Sequence, residues 1–217
     1  MPNTFHFFKD FFGEISGKAA LIFCVAFLLF SNTIGHNYAW DDYAVIVNNQ
    51  HTQKGWKALP EIFTQKVYLP ERQIYRPVVQ SSFALEVAVF GNNPHVAHFF
   101  NVLIYACVCV ALFFLLHLLF GAKFPWLSFY TVLLYTVMPV HSESVANIKS
   151  RDELLMLFFG LCMLICIVKA VSTFHWRYIA GALFAFTLSF LCKENGILLL
   201  FIAPLLPFIY NQNQWFG

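Results

Sequence analysis

A 217-residue chain that is 59% hydrophobic and only 11% Asp, Glu, Lys and Arg is not an ordinary soluble domain. Its formal net charge of +2 comes from scattered cations with no basic run, so nucleic acid is not an expected partner. With a mean hydropathy of +0.66 and long charge-free stretches, the composition is that of an integral membrane protein.

No Asp, Glu, Lys or Arg occurs in residues 19–40, 87–122, 124–142, 154–168, 178–192 or 196–217. A helix rises about 1.5 Å per residue, so about 17–25 apolar residues cross the hydrocarbon core. An all-α, multi-pass bundle is expected, with about six spanning helices near residues 18–35, 95–120, 124–140, 153–171, 176–192 and 195–210. The fourth and fifth runs are short alone; Lys169 and Arg177 lengthen them by snorkelling, and a re-entrant pair is the alternative. The first helix is long, stands well inside the chain and lacks a small-x-small site, so it reads as an anchor and not a cleaved signal. Residues 1–217 read as a single transmembrane domain, with no internal repeat or linker.

At the exit of the first helix stands Trp40-Asp41-Asp42-Tyr43, two adjacent carboxylates in a chain poor in charge. They are either an ordinary polar membrane-surface loop or a catalytic or ion-binding site at the water–lipid boundary. The loop they open, 36–94, is too long for a simple connector. Trp56, Leu59, Ile62 and Phe63 fall on one helical face and suggest a short amphipathic helix lying in the interface. Pro77 suits the first position of a second juxtamembrane helix and Gly91 the residue just past its end; Asn93-Pro94 suits an N-cap and first position for the next helix.

Tyr75-Arg76-Pro77 puts an arginine at a helix start, where it could bind phosphate or simply face lipid headgroups. A dense polar stretch follows Pro139: His141, Glu143, Asn147, Arg151, Asp152 and Glu153. Glu143, Asn147 and Arg151 are four apart and share a face if one helix carries them, as a solvated face would also require. Lys193-Glu194 interrupts an apolar stretch, as a tight turn or as part of a site. His95 and His98 beside Asn101 read as polar helix caps before they read as metal ligands. The six cysteines lie in or at the ends of apolar helices and read as small hydrophobes.

Alternating helices put loops 36–94, 141–152 and 193–194 on one face. The other face holds Lys9, Lys18, Lys123, Lys169 and Arg177 against Asp10 and Glu14. The positive-inside bias makes that face, and the N-terminus, cytoplasmic. The Asp pair, Arg76, Glu143, Arg151 and Lys193 then fall together outside, where they are expected to line one cavity at the membrane boundary.

In order and spacing, Asp41-Asp42, Tyr75-Arg76-Pro77, Asn93-Pro94-His95-x-x-His98-x-x-Asn101, His141-Ser142-Glu143, Arg151-Asp152-Glu153 and Lys193-Glu194-Asn195-Gly196 resemble the GT-C membrane glycosyltransferases. Among these they are most similar to the protein O-mannosyltransferase-like group that includes transmembrane proteins with tetratricopeptide repeats. The resemblance spans about residues 30–200. It implies a GT-C bundle, a polyprenyl-phosphate donor of a mannose-like sugar, and transfer to a hydroxyl of a protein or glycan acceptor outside a bacterial inner membrane or an ER-type membrane. It implies Asp41 or Asp42 as general base. Arg76, His141, Glu143, Arg151, Asp152, Lys193 and Glu194 are implied around the donor phosphate and substrate. No obligatory metal is expected, although Asp41, Asp42 and Glu143 could hold a divalent ion. Such enzymes usually have about nine or more spanning helices, so the chain reads as the N-terminal part of a longer protein or as a shortened version. A transporter or flippase would need ionisable residues near mid-membrane, where this chain has essentially none. A non-catalytic scaffold would not need its charges gathered on one face.

Overall fold

The computed structural model describes residues 15–69, 73–121, 123–124 and 126–215; Lys9, Asp10 and Glu14 lie outside them. Among the described residues every regular element is helical, and the only extended pairing is an isolated antiparallel bridge between Leu69 and Ile74.

Helix α1 (Ile15–Phe30) continues as a 3₁₀ turn through Ser31–Gly35. The outer loop contains a π-helical turn (Tyr43–Val47), a 3₁₀ turn (Gly55–Ala58), α2 (Leu59–Thr64) and α3 (Pro77–Phe90). Then come α4 (Pro94–Phe120), α5 (Leu127–Thr136), α6 (His141–Ala146), α7 (Arg151–Thr173), α8 (Trp176–Cys192) and α9 (Leu205–Trp215).

Four stretches are long and apolar enough to cross a bilayer: Ile15–Gly35, Pro94–Phe120, Ile148–Thr173 and Glu194–Asn211. Two of the six expected spans are shorter. Helix α5 has 10 residues and α8 has 17. The expected last span is not one continuous α-helix: a 3₁₀ turn (Glu194–Leu198) and one α-turn (Leu199–Ile202) precede α9. Pro204 and Pro207 withhold two backbone donors there.

The bundle is built around α4. One side chain cluster joins Ile22, Ala26 and Phe30 of α1 to Val102, Tyr105 and Phe113 of α4 and Val132 of α5. A second joins Val108 and Leu115 of α4 to Leu161, Leu164 and Val168 of α7, Ala182 and Ala185 of α8, and Leu206 of α9. The outward faces stay apolar, with Leu28, Leu134, Leu183, Phe184 and Phe201 all exposed, as lipid-facing surfaces require. At one end Lys18 Nζ lies 3.7 Å from the Trp126 ring centre and Lys169 Nζ 5.8 Å from that of Tyr178. The polar loops gather at the other.

The expected caps form. Pro77 opens α3, and Gly91 ends it at φ +68°, a conformation that favours glycine. Asn93 accepts from His95 N at 3.1 Å to cap α4. The amphipathic segment differs from the periodic reading. A 3₁₀ turn precedes α2, which changes the helical phase, so Ala58 and Ile62 pack with Val67 and Ala84 of α3 while Trp56 and Phe63 face outward.

Candidate active site

Asp41 and Asp42 point apart, as neighbours in a turn must. Asp42 is buried: Oδ2 accepts from Ala39 N at 2.9 Å and Oδ1 from Lys149 N at 2.9 Å. It thus fastens the first loop to the turn before α7. Burial holds its pKa above the usual aspartate value; the two amide bonds oppose this, and the Asp41 charge adds to it. Asp41 is exposed and lines a cleft of about 490 Å³ with Ala39, Trp40, Glu143, Ala146 and Asn147.

Glu143, Asn147 and Arg151 do not share a helix face. Helix α6 ends at Ala146, Asn147 is extended, and a 3₁₀ turn (Ile148–Ser150) leads into α7. Asn147 caps this turn by accepting from Lys149 N at 3.1 Å. The break lets Glu143 face the cleft while Arg151 turns inward.

Three consecutive charges at the start of α7 point in three directions, because each helical step turns the side chain by about 100°. Arg151, with no exposed side chain surface, donates from Nε to Asn101 Oδ1 at 2.7 Å and from a terminal nitrogen to Ala97 O at 2.9 Å. Its other terminal nitrogen pairs with Glu86 and reaches Ser82 Oγ at 3.3 Å, and the guanidinium lies 4.4 Å from the Phe83 ring centre. Asp152, also fully buried, pairs with Arg76, lies 3.6 Å from Lys193 Nζ and 4.0 Å from Lys149 Nζ. Glu153 accepts from Lys193 Nζ at 2.6 Å and from Ser144 Oγ at 3.4 Å.

Arg76 completes the second group. Besides Asp152 it donates to both oxygens of Glu194, at 3.0 and 3.2 Å, and it lies 5.6 Å from the Tyr68 ring centre. Arg76, Lys149 and Lys193 balance Asp152, Glu153 and Glu194. Four of these six are buried or half-buried; the Glu153 and Glu194 side chains are 49% and 65% exposed. An anion approaching Arg76 would meet the most exposed of the carboxylates on it.

His141 lies beside the second group, across a recess from Glu153. It packs against Tyr135 (ring centres 4.2 Å) and Tyr105 (5.5 Å), and its Nε2 is buried without a partner. Burial lowers its pKa, keeping the imidazole neutral near pH 7. It lines a recess of about 140 Å³ with Tyr105, Tyr135, Ser144 and Glu153 among others.

The charges expected to converge therefore share one end of the bundle but not one cavity. Asp41 and Glu143 line the cleft, while Asp42 lies beneath its rim. Arg76, Asp152, Lys193 and Glu194 form the adjacent ion-pair group, and Arg151 is enclosed behind it. Among the described residues no three His, Cys, Asp or Glu side chains gather as metal ligands. Sequence reasoning gave no site role to Glu86, Lys149 or Asn101, although Asn101 closes the motif that begins at Asn93. Glu86 carried a signal, as the lone carboxylate in an apolar helix. The stripe His95, His98 and Asn101 is a lacing: His95 Nδ1 lies 2.8 Å from Ile34 O, His98 Nε2 3.4 Å from Asn37 O, and Asn101 Nδ2 donates to Asn147 O at 3.1 Å.

The described residues thus gather their charged side chains at one end of an apolar helical bundle. Residues 76–216 match the family described as dolichyl-phosphate-mannose-protein mannosyltransferase, and the chain belongs to it. Asp41 and Asp42 precede the matched segment. Protein O-mannosyl-transferase TMTC2 of Homo sapiens is 30% identical over 201 residues, covering 85% of this chain and 23% of that protein. Protein O-mannosyl-transferase TMTC1 of Mus musculus is 30% identical over 84% of this chain and 21% of its own length. Protein O-mannosyl-transferase F38B6.6 of Caenorhabditis elegans is 27% identical over 89% and 28%. The chain thus spans about a quarter of the length of these relatives. No solved structure matches it.

Proposed function

We propose that this chain carries the catalytic end of a glycosyltransferase that moves a mannosyl group from a polyprenyl-phosphate donor to a hydroxyl of a protein acceptor. The observation that carries the reading is the pairing, at one end of a bundle of this family, of an accessible carboxylate cleft with a cation group one turn away. Asn147 lines the cleft and Lys149 belongs to the cation group, so the two lie within about 7 Å along the chain.

Asp41 is the base. Asp42 is a positioning residue, since both its oxygens already accept backbone amides. The acceptor oxygen forms a bond to C1 of the sugar as its proton passes to the Asp41 carboxylate. The bond from C1 to the phosphate oxygen breaks, and its electron pair leaves with the polyprenyl phosphate. Arg76, Lys149 and Lys193 stabilise that charge, with Glu194 giving way to the phosphate on Arg76. Asp152 holds Arg76 and Lys193 in place, and Arg151 fixes α7 against α3 and α4. Glu143 holds substrate hydroxyls, and His141 shapes the neighbouring recess. No divalent ion is required, because protein cations meet the leaving phosphate.

The polar end faces away from the cytoplasm, with six spans and an external loop 36–94. In support, Lys18 and Lys169 lie at the opposite end, over aromatic rings, where a cytoplasmic face gathers positive charge.

The test is transfer from polyprenyl-phosphate mannose to a Ser/Thr-containing peptide, in membranes carrying the native protein. Asp41→Asn should lower the rate about 10²- to 10⁴-fold. A wild-type rate in Asp41→Asn overturns the assignment.

A further inference from the structure

We propose that Trp40 is a sugar-stacking platform, and that the cleft it forms with Asp41, Glu143 and Asn147 binds the pyranose ring of the transferred sugar. This rests on the glycosyl-transfer reading and deepens it, by giving the cleft to the sugar and leaving the phosphate to the cation group.

Trp40 is 93% exposed, so the rest of the chain leaves both faces of its large flat ring uncovered at the rim of the cleft. Its backbone lies at φ +34°, a region that bulky residues avoid. The conformation is enforced locally. Asp42 N donates to Ala39 O at 2.8 Å, Tyr43 N to Trp40 O at 3.3 Å, and the buried Asp42 carboxylate accepts from Ala39 N. The turn is closed from both sides, and what it displays is the indole at the rim of the cleft.

The chemistry of the lining selects the ligand. Asp41 and Glu143 offer carboxylate oxygens, which accept hydrogen bonds and repel phosphate. Asn147 commits its Oδ1 to Lys149 N, which leaves its Nδ2 hydrogens as the donor it offers the cleft. None of the cleft's six lining residues is a cation. Two carboxylates as acceptors, one amide as donor and one flat apolar face fit a sugar ring, which has hydroxylated edges and C–H-rich faces. The volume, about 490 Å³, lies inside the range of about 300–1,000 Å³ usual for small-ligand sites, so one ring fits with an acceptor side chain beside Asp41.

The experiment uses the native protein in lipid nanodiscs, with methyl α-D-mannopyranoside as probe and polyprenyl phosphate without sugar as control. The chain has five tryptophans, so the readout is the emission of the wild type minus that of Trp40→Leu. Mannoside should change this difference signal and shield it from acrylamide, and polyprenyl phosphate should not. Mannoside binding, followed by ligand NMR, should weaken about 5- to 10-fold in Trp40→Leu and be largely retained in Trp40→Phe. Circular dichroism of each variant checks its fold, and Glu143→Gln, which leaves Trp40 untouched, should also weaken mannoside binding. Unchanged mannoside affinity in Trp40→Leu overturns the proposal. So does quenching of Trp40 by brominated lipids that persists at saturating mannoside, which would make Trp40 a membrane anchor. Mannoside binding at Trp40 without any sugar transfer rejects only the transferase reading. Transfer with an unchanged donor KM in Trp40→Leu rejects only this site.

Discussion

Replacing Arg151 by Met tests whether this residue holds the polar end together from within. The side chain is fully enclosed, and its partners come from two other helices: Glu86 and Ser82 on α3, Asn101 and Ala97 on α4. Methionine keeps an apolar stem of similar length but no charge. Glu86, whose side chain is 14% exposed, then keeps a carboxylate with no counter-charge, and Asn101 Oδ1 loses its donor. Breaking a buried pair by removing one partner costs about 3–5 kcal/mol, a shift of about 10²- to 10³·⁵-fold in the folded-to-unfolded ratio. The cost should depend on pH. Burial raises the Glu86 pKa and Arg151 opposes this, so the variant leaves Glu86 with a pKa raised further above its unfolded value. A carboxyl whose folded pKa is raised destabilises as pH rises through that value, so the deficit should be larger at pH 8 than at pH 5. Removing both groups in Glu86→Leu with Arg151→Met should cost less than the sum of the single changes, by at least about 1 kcal/mol. Reversible unfolding in mixed detergent–SDS micelles measures all four corners of the cycle. A loss below about 0.5 kcal/mol for Arg151→Met, or strictly additive singles, would refute the reasoning.

Asp42 should show the same sign of pH dependence. With its folded pKa raised by burial above 3.8, its contribution falls as pH rises from that value through the folded one. Asp42→Asn should flatten that part of the stability-versus-pH curve, and at pH 7 should cost about 1–3 kcal/mol, because Asn offers one acceptor where two amides need one each. Glu194→Gln should weaken the outer restraint on Arg76 and lower the donor KM in the peptide-transfer assay, whereas Arg76→Lys should raise it, since an ammonium lacks the planar fork that bridges Asp152 and a phosphate. An unchanged donor KM in both variants would remove Arg76 from the phosphate site.

Much of the scaffold was legible from local rules. Pro77, Gly91 and the Asn93-Pro94 pair mark helix ends because their backbone chemistry permits little else. The phase of Trp56 and Phe63 was not legible, because a 3₁₀ turn rotates residues by a different angle from an α-turn and leaves no separate mark in a hydrophobic pattern. The break at Asn147 escaped for a related reason: an interval of four fits one helix equally well as two short ones with a bend between.

The amino-acid sequence by itself determined the solvent and the cast. Charge-free runs of membrane length make the chain a helical membrane protein, and their polarity leaves the charges only the ends to occupy. Which charges meet was decided by the tertiary structure alone. Arg76 reaches Asp152 and Glu194 across 76 and 118 residues, and Asp42 reaches the Lys149 amide across 107. Such pairings depend on helix rotation: about 100° per residue sends Arg151 to Glu86 and Asn101, Asp152 to Arg76 and Glu153 to Ser144, with Lys193 shared by the two acids. Adjacent acids at 41 and 42 are equivalent as letters. Burial makes one of them a fastening and leaves the other open to the cleft.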